Sequence, residues 1–163
     1  MHRVHIVGRK NSGKTTLVAE LVAHFVSLGR RVGTIKHTHH QHELDTPGKD
    51  SHTHREAGSA VVGILTPNMS AVFRPSEGDR HDTDERYQWL APMYADCELV
   101  IVEGNSQTAA PKFEVWRAAT GTEPMAATDR TIVAVITDDP LPFDFPTIPR
   151  SKIEQIGSSV LAQ

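Results

Sequence analysis

Gly8-Arg9-Lys10-Asn11-Ser12-Gly13-Lys14-Thr15 is the stretch that decides the fold, because it fits the phosphate-binding pattern G-x-x-x-x-G-K-[ST] at every fixed position. The apolar run Val4–Val7 before it predicts a buried strand. From Lys14 onward, apolar residues recur at steps of three and four, which predicts an amphipathic helix that Gly29 closes. A strand, a glycine-containing loop and a helix in this order are typical of a P-loop nucleotide-binding protein.

Each part of this loop suits one task in binding a nucleoside triphosphate. The glycines let the backbone approach a phosphate closely, and the N–H groups of the loop and the helix N-terminus favour an anion. Lys14 can reach the β- and γ-phosphates, Thr15 offers a hydroxyl to Mg²⁺, and Thr16 is expected near the α-phosphate. Arg9 and Lys10 either add charge at the phosphate or are solvated loop residues. The predicted nucleotide-binding residues are Gly8, Arg9, Lys10, Asn11, Ser12, Gly13, Lys14, Thr15 and Thr16.

Strand and helix patterns alternate along most of the chain. Further strands are predicted at 31–35, 60–66, 70–73, 99–102, 112–117 and 131–136, and further helices at 50–57, from 84 onward and at 152–161. This order predicts a single domain over residues 1–163 with an α/β, P-loop NTPase three-layer fold, a mostly parallel sheet and a small antiparallel extension. The alternating polarity of 112–117 predicts a half-buried strand, and an exposed strand there could contribute to a dimer interface.

Composition limits the class of protein. The chain has 163 residues, of which 38% are hydrophobic and 23% are charged, which is enough for a buried core. Its formal net charge is −3 and it has no dense run of lysine and arginine, so we expect no nucleic-acid partner. The single cysteine, Cys97, and the lack of an apolar segment of membrane length favour a cytoplasmic protein without membrane association.

Carboxylates follow two of the predicted strands. Glu103 comes directly after four apolar residues, at the end of a strand where α/β proteins bind ligands, so we expect it to hold Mg²⁺ together with Thr15. Asp50 is a second candidate for Mg²⁺ or its waters, with a helix cap as the alternative. Asp138 could accept hydrogen bonds from guanine N1–H and N2–H₂ and so favour GTP over ATP, and Asp139 is the alternative for that role.

Histidine is enriched after the second predicted strand, in Lys36-His37-Thr38-His39-His40-Gln41-His42. Neutral imidazoles in such a stretch could bind a transition metal. Alternatively, the stretch contacts a ligand beside the nucleotide, or it is a polar surface loop. A ligand contact is favoured, because the stretch leaves its strand at the edge of the sheet where the first strand ends.

Five further stretches of the sequence follow one another along the chain in an order that is typical of one protein family. They are Lys36-His37-Thr38-His39-His40, Asp45-Thr46-Pro47-Gly48-Lys49-Asp50-Ser51, Arg55-Glu56-Ala57-Gly58, Val102-Glu103-Gly104 and Pro111-Lys112-Phe113-Glu114-Val115-Trp116-Arg117. In these stretches, from the phosphate loop to about Asp139, the sequence resembles the molybdopterin-guanine dinucleotide biosynthesis protein B (MobB) family. The resemblance implies a homodimeric adapter that binds GTP and Mg²⁺, hydrolyses GTP weakly and assists the molybdenum cofactor guanylyltransferase, with molybdopterin as a further candidate ligand.

The resemblance also assigns residues to roles. It places the phosphates on Gly8 to Thr16 and Mg²⁺ on Thr15 and Glu103. It assigns a functional loop to Lys36, His37, His39, His40, Lys49 and Ser51. After Glu103-Gly104 the family often continues Phe-Lys, whereas Asn105-Ser106 follow here. A lysine directed at phosphate or cofactor is therefore absent at that place, unless Lys112 substitutes for it.

Two alternatives to an adapter remain. One is a metal-delivery GTPase that uses the His37–His42 cluster, and the other is a small-molecule kinase, which would need an arginine-rich lid that the sequence lacks. The sequence shows no evident arginine finger, and Arg55 and Arg117 are the candidates for a transition-state cation. We therefore expect a slow Mg²⁺-dependent GTPase that acts mainly as an accessory protein.

Overall fold

The computed structural model describes residues 1–38, 40, 42–75 and 85–163. The chain forms two compact units, one of residues 1–38 with 82–163 and the other of residues 39–81. The described elements are β1 (Arg3–Val7), α1 (Lys14–Ser27), β2 (Val32–Lys36), α2 (Asp50–Glu56), β3 (Val62–Leu65), β4 (Ser70–Phe73), α3 (Glu85–Leu90), β5 (Leu99–Glu103), β6 (Lys112–Val115), β7 (Ile132–Ile136), β8 (Thr147–Ile148) and α4 (Ile153–Leu161). Short 3-10 turns lie at Ala91–Tyr94, Ala118–Thr120 and Met125–Ala127.

The first unit is built on a six-stranded sheet in the order β2-β5-β1-β6-β7-β8, and every pair of neighbours in it is parallel. The second unit contains the two-stranded antiparallel sheet of β3 and β4. These sheets confirm the predicted α/β fold with a mostly parallel sheet and a small antiparallel extension. The single domain over residues 1–163 stays a prediction.

Apolar side chains cover both faces of the parallel sheet. On one face, α1 and α4 bury Leu17, Leu21, Phe25, Ile156 and Val160 against alternate residues of the strands. On the other face, Tyr87 and Tyr94 pack near β5. The turn Met125–Ala127 and the segment 141–145 pack near β7. The alternation of strand side chains between two apolar layers explains why the strands read as nearly continuous hydrophobic runs.

The strand β6 differs from its expectation. It ends at Val115, lies between β1 and β7, and has all four of its residues buried. The prediction of a half-buried, exposed strand over 112–117 is therefore wrong. The alternating pattern misleads because its polar members, Lys112 and Glu114, are buried with partners instead of facing solvent.

Those two buried side chains hold the connection between β6 and β7. The ammonium of Lys112, which is 3% exposed, donates to the carbonyl oxygen of Ser106 at 2.8 Å and to Oδ2 of Asp129 at 2.7 Å. The carboxylate of Glu114 accepts the N–H groups of Met125 at 2.7 Å and Ala126 at 2.9 Å. Burial raises the pKa of Glu114, and these two hydrogen bonds offset part of that rise. Each buried charge is thus compensated, as a folded core requires.

The second unit contains the two strands predicted at 60–66 and 70–73, and they form a hairpin. Ser70–Phe73 pairs antiparallel with Val62–Leu65. The N–H of Thr66 donates to the carbonyl of Met69 at 2.8 Å, which closes the turn around Pro67 and Asn68. Among the described helices of the whole chain, α1 is the longest with 14 residues, and none combines the length and apolar character that a bilayer span requires.

We predict that Lys112→Met destabilises the protein through Asp129. Burial disfavours ionisation of Asp129, but hydrogen bonds from Lys112 and Thr131 hold its pKa below the ordinary value. Without the lysine, the free energy of unfolding in urea at pH 7 should fall by about 2–3 kcal/mol. The loss should shrink below about pH 4, because protonation of Asp129 removes the unpaired charge.

The control for this experiment is Arg31→Met, which breaks an exposed pair. Arg31 and Asp96 lie 3.6 Å apart with side chains 72% and 81% exposed. That variant should lose less than about 0.5 kcal/mol. Equal losses for the two variants, or a Lys112→Met loss that is unchanged between pH 7 and pH 3, would contradict the buried ion pair as the cause.

Candidate nucleotide site

The loop between β1 and α1 has a backbone that only glycine fits at its first position. Gly8 has a φ of 142°, and a Cβ there would lie 2.3 Å from the carbonyl oxygen of Val115. Asn11 and Gly13 also have positive φ values, of 64° and 97°. The carbonyl of Gly13 accepts the N–H of Leu17 at 3.0 Å, so α1 begins directly at the end of the loop. The first N–H groups of a helix have no partner within it, which makes this end suitable for an anion.

The loop also encloses an unpaired hydroxyl. Ser12 is 2% exposed, and among the described residues its Oγ has no hydrogen-bond partner. Leaving a buried hydroxyl unpaired costs about 1–3 kcal/mol, so such an atom indicates a place where another group binds. An oxygen of a phosphate would accept this hydrogen bond. The residues present therefore fit the group that the sequence pattern predicts.

Lys14 bends back over the loop. Its Nζ donates to the carbonyl oxygen of Arg9 at 2.7 Å. Burial lowers the pKa of Lys14, while the nearby carboxylate of Glu103 acts in the opposite direction. A partly desolvated ammonium held by a loop carbonyl gains when it exchanges that carbonyl for an anionic oxygen, because charged hydrogen bonds are the stronger ones.

Thr15 and Glu103 meet at the carboxyl edge of the sheet. The hydroxyl of Thr15 donates to Oε1 of Glu103 at 2.6 Å. Glu103 is the last residue of β5, in register with Ile6 of β1 and Lys36 of β2. Parallel pairing therefore brings together two residues that are 88 positions apart in the chain. A carboxylate and a hydroxyl are oxygen ligands of the kind that Mg²⁺ prefers, so these two side chains fit the predicted ion.

The remaining predicted loop residues fall in different parts of the structure. In the first unit, Lys36 ends β2 and His37 follows it. In the second unit, Asp50 is the first residue of α2, Lys49 precedes it, and the hydroxyl of Ser51 donates to Oδ1 of Asp45 at 3.0 Å. The roles of these residues, including that of Asp50 toward Mg²⁺, stay predictions.

Histidines were the other candidate ligands. The rings of His40 and His42 lie 5.8 Å apart in the second unit. The predicted His39 falls outside the described residues. Within the described ranges, no three side chains of histidine, cysteine, aspartate and glutamate are grouped so that they could hold a metal ion.

The two aspartates after β7 have different partners. Oδ1 of the exposed Asp138 accepts the N–H of Ser151 at 3.2 Å and its hydroxyl at 3.3 Å. Oδ2 of Asp139 accepts the N–H of Ala118 at 2.8 Å. These bonds connect the loops that follow β6, β7 and β8. Asp138 is the more exposed of the two, which favours it over Asp139 as the residue that reads a base.

Three further cations have defined surroundings. Lys112 is engaged with Asp129, and this buried pair does not supply the lysine that is missing after Gly104. Arg55 donates to Oε1 of Glu43 at 2.6 Å, and this hydrogen bond lowers the pKa of Glu43. Arg117 is exposed beside the loop that Asp139 holds.

Sequence reasoning missed three residues at this edge of the sheet. Ser151 holds Asp138, and Asn105 and Tyr87 form a buried hydrogen bond next to Glu103. The only local signal was a polar residue directly after Glu103-Gly104, at a position that turns out to have a left-handed backbone. Tyr87 lies within α3, and no local sequence pattern indicates a partner for its hydroxyl.

Comparison with known proteins gives one consistent result. A family model described as molybdopterin guanine dinucleotide synthesis protein B matches residues 3–138. The chain is 30% identical over 151 residues to the molybdopterin-guanine dinucleotide biosynthesis adapter protein of Escherichia coli strain K12, which covers 92% of this chain and 86% of that protein. It is 32% identical over 157 residues to the protein of the same name from Haemophilus influenzae, with 95% and 85% covered.

Solved structures agree with the sequence matches. A crystal structure of molybdopterin-guanine biosynthesis protein B superposes with a TM-score of 0.71 at 25% identity and covers 99% of both chains. A MobB protein homolog from Bacillus stearothermophilus superposes with a TM-score of 0.67 at 26% identity over 100% of both chains. The three-layer fold inferred from the phosphate loop is therefore the fold of these proteins.

The close contact at Gly8 predicts a difference between two loop glycines. We expect Gly8→Ala to lower the free energy of unfolding by about 3 kcal/mol or more, because the new methyl group must displace a backbone carbonyl. Gly13→Ala should cost only about 1–2 kcal/mol, since a Cβ there meets no atom and only the positive φ is unfavourable. Urea denaturation without nucleotide measures both. Equal costs would contradict the contact between Gly8 and Val115.

Proposed function

Because the chain belongs to the molybdopterin guanine dinucleotide synthesis protein B family, we propose that it is an adapter in molybdopterin-guanine dinucleotide biosynthesis. Within that role it binds GTP and Mg²⁺ on the loop from Gly8 to Thr16. It assists the guanylyltransferase that joins GMP to molybdopterin, either in forming the dinucleotide or in delivering it.

The observation that carries the nucleotide proposal is the unpaired buried hydroxyl of Ser12 inside the loop. The loop needs glycine at Gly8, leaves a buried donor unsatisfied and holds the Lys14 ammonium on its own carbonyl. These features are suited to binding an anion. Loop N–H groups and Lys14 would hold the β- and γ-phosphates, and Ser12 would donate to a phosphate oxygen.

Thr15 and Glu103 would hold Mg²⁺. The ion would supply positive charge that offsets the charge of the phosphates. The hydroxyl of Thr15 would offer a lone pair to the ion, and its hydrogen would remain free to donate to Glu103. Glu103 would then act directly on the ion or through a bound water.

Hydrolysis by this site is proposed to be slow. Rapid hydrolysis needs a cation that stabilises the transition state, such as an arginine. The candidate Arg55 is held by Glu43 at 2.6 Å. A protein that keeps its nucleotide for a long time suits an adapter that hands over a product better than it suits a metabolic enzyme.

Asp138 is proposed to select guanine. Its Oδ1 is fixed by Ser151, and the side chain is exposed at the carboxyl end of β7. A fixed carboxylate can accept from N1–H and N2–H₂ of guanine, whereas adenine presents an acceptor at N1. This difference would give GTP the advantage over ATP.

The protein is proposed to act as a homodimer. The hairpin of β3 and β4 in the second unit exposes Leu65, Met69 and Val72, at 84%, 69% and 45%. A two-stranded sheet is marginal by itself, and its edges offer N–H and C=O groups to another strand. A second copy of the hairpin would cover the apolar side chains and pair these edges.

The guanine proposal predicts a switch of base preference in Asp138→Asn. The NH₂ group of an asparagine can donate to the O2 atom of xanthine. Opposite guanine it faces the N2 amino group, which is also a donor, so no hydrogen bond forms there. Titration calorimetry with Mg²⁺ should therefore show GTP binding weakened at least about tenfold and XTP binding strengthened. In the wild-type protein, GTP should bind more tightly than ATP.

The control is Lys14→Ala, which should weaken GTP, XTP and ATP alike because it removes the cation from the phosphates. If no nucleotide binds to the wild-type protein, the phosphate site itself is refuted. If ATP binds as tightly as GTP, the phosphate site is supported and Asp138 as guanine reader is refuted.

The dimer proposal predicts that Leu65→Lys with Met69→Lys dissociates the protein, because charges would be buried between the copies. Sedimentation equilibrium should give a dimer for the wild-type chain and a monomer for this variant. Leu28→Lys, at a 60% exposed position after α1, should leave the dimer intact. A monomeric wild-type chain at every concentration would contradict the proposal.

A further inference from the structure

A buried tyrosine links the ends of two strands on the face of the sheet opposite α1. Tyr87 is 3% exposed. Its hydroxyl oxygen lies 3.0 Å from Nδ2 of Asn105 and 3.0 Å from Nδ1 of His37. Because the Asn105 amide donates to this oxygen, the tyrosine hydroxyl is able to donate to the imidazole nitrogen of His37. One phenol thus connects the residue after Glu103-Gly104 with the residue after β2.

The turn after Glu103 is held from several sides. Gly104 has a φ of 96°, and a Cβ there would lie 2.7 Å from the carbonyl oxygen of His37. The N–H of His37 donates to the carbonyl of Glu103 at 2.9 Å. His5, fully buried in β1, places Nδ1 at 3.0 Å from the carbonyl of Gly104. The backbone of this turn therefore cannot shift without moving His37 or the central strand.

Asn105 itself is 3% exposed and has a left-handed backbone with a φ of 56°. Asparagine tolerates this conformation better than most residues. Its amide nitrogen donates to Tyr87, while its amide oxygen accepts the N–H of Gln107 at 3.2 Å. Both ends of the side chain are used, so the orientation of Asn105 is fixed by its neighbours.

Tyr87 is fixed through its ring as well. The ring meets that of His5 edge to face at a centroid distance of 5.5 Å. The guanidinium of Arg3 lies 4.6 Å from its centroid, a distance at which a cation is attracted to an aromatic face. A buried polar group with several partners moves as one body with them, because each displacement would leave a donor or acceptor unpaired.

We propose that Tyr87 and Asn105 are positioning residues that couple Mg²⁺-nucleotide binding at Glu103 to His37, the first histidine of the histidine-rich stretch. The coupling rests on the proposed nucleotide function. Binding of the ion would draw the Glu103 carboxylate toward the metal, and the turn that follows Glu103 would transmit this change through Asn105 and Tyr87 to the imidazole. Linkage makes the effect reciprocal, so a partner that binds His37 changes the affinity for Mg²⁺-nucleotide by the same factor.

The test follows the ring nitrogens of His37 by NMR in ¹⁵N-histidine-labelled protein, assigned with His37→Gln. A slowly hydrolysed GTP analogue is added in EDTA, and Mg²⁺ is then added in excess. In the wild-type protein, Mg²⁺ should shift the His37 signals. In Tyr87→Phe, which loses one oxygen and keeps the ring, this Mg²⁺-dependent shift should disappear.

Tyr94→Phe is the matched control. Its hydroxyl donates to the carbonyl of Thr34 in β2 at 3.0 Å, on the same face of the sheet but outside the connection to Asn105. This variant loses the same atom from a tyrosine next to the same strand. It should keep the Mg²⁺-dependent shift of His37.

Affinity gives a second readout. The ratio of the dissociation constants of the analogue in EDTA and in Mg²⁺ should fall roughly fivefold in Tyr87→Phe and in Asn105→Gly. The affinity in EDTA should not change. Glycine at 105 keeps the left-handed backbone, so a loss there is due to the side chain.

The outcomes separate the two proposals. If the wild-type protein binds no nucleotide, the proposed function is wrong and the coupling with it. If it binds Mg²⁺-nucleotide and His37 does not respond, or if Tyr87→Phe responds like the wild-type protein, the coupling alone is refuted.

Discussion

Parallel pairing of β1 with β5 on one side and β6 on the other is the constraint on which the site depends. It puts Ile6 opposite Glu103, the last residue of β5, and Val7 opposite Glu114, the residue before the end of β6. On the β5 side, the carboxylate of Glu103 accepts a hydrogen bond from Thr15. On the β6 side, the carbonyl of Val115 lies close to Gly8. The shape of the loop from Gly8 to Gly13 thus depends on contacts with both β5 and β6. The glycines allow the backbone to adopt this shape but do not determine it.

Polar residues inside the central strands have a common purpose. His5, Lys112 and Glu114 all lie on the face opposite α1, and each is bonded to a loop instead of to water. Apolar side chains at these places would pack as well, but they could not fix the backbone of the loops around the site. Because these groups are buried, losing either partner of a bond would leave a donor or acceptor unpaired at a cost in free energy. The sheet therefore fixes the conformation of the loops that its buried polar residues contact.

The sequence allowed the central part of the fold to be predicted, because β1, the loop and α1 carry local signals in one uninterrupted stretch. Strands β5 and β7 were found from their apolar runs, and Glu103 from its place after one of them. The burial of β6 was mistaken, since the partners of Lys112 and Glu114 lie beyond the strand. The two-residue β8 and the bond between Tyr87 and Asn105 depend on topology, to which no local pattern corresponds.

The contact between Gly8 and Val115 has a consequence for the order in which the protein matures on the ribosome. Strand, loop and helix leave the exit tunnel early, but the carbonyl that shapes the loop belongs to a strand made much later. A nascent chain that ends before β6 carries the whole phosphate-binding pattern but lacks the Val115 carbonyl that packs against Gly8. Release of β6, and its insertion beside β1, is therefore the step at which the loop after β1 acquires its final shape during synthesis.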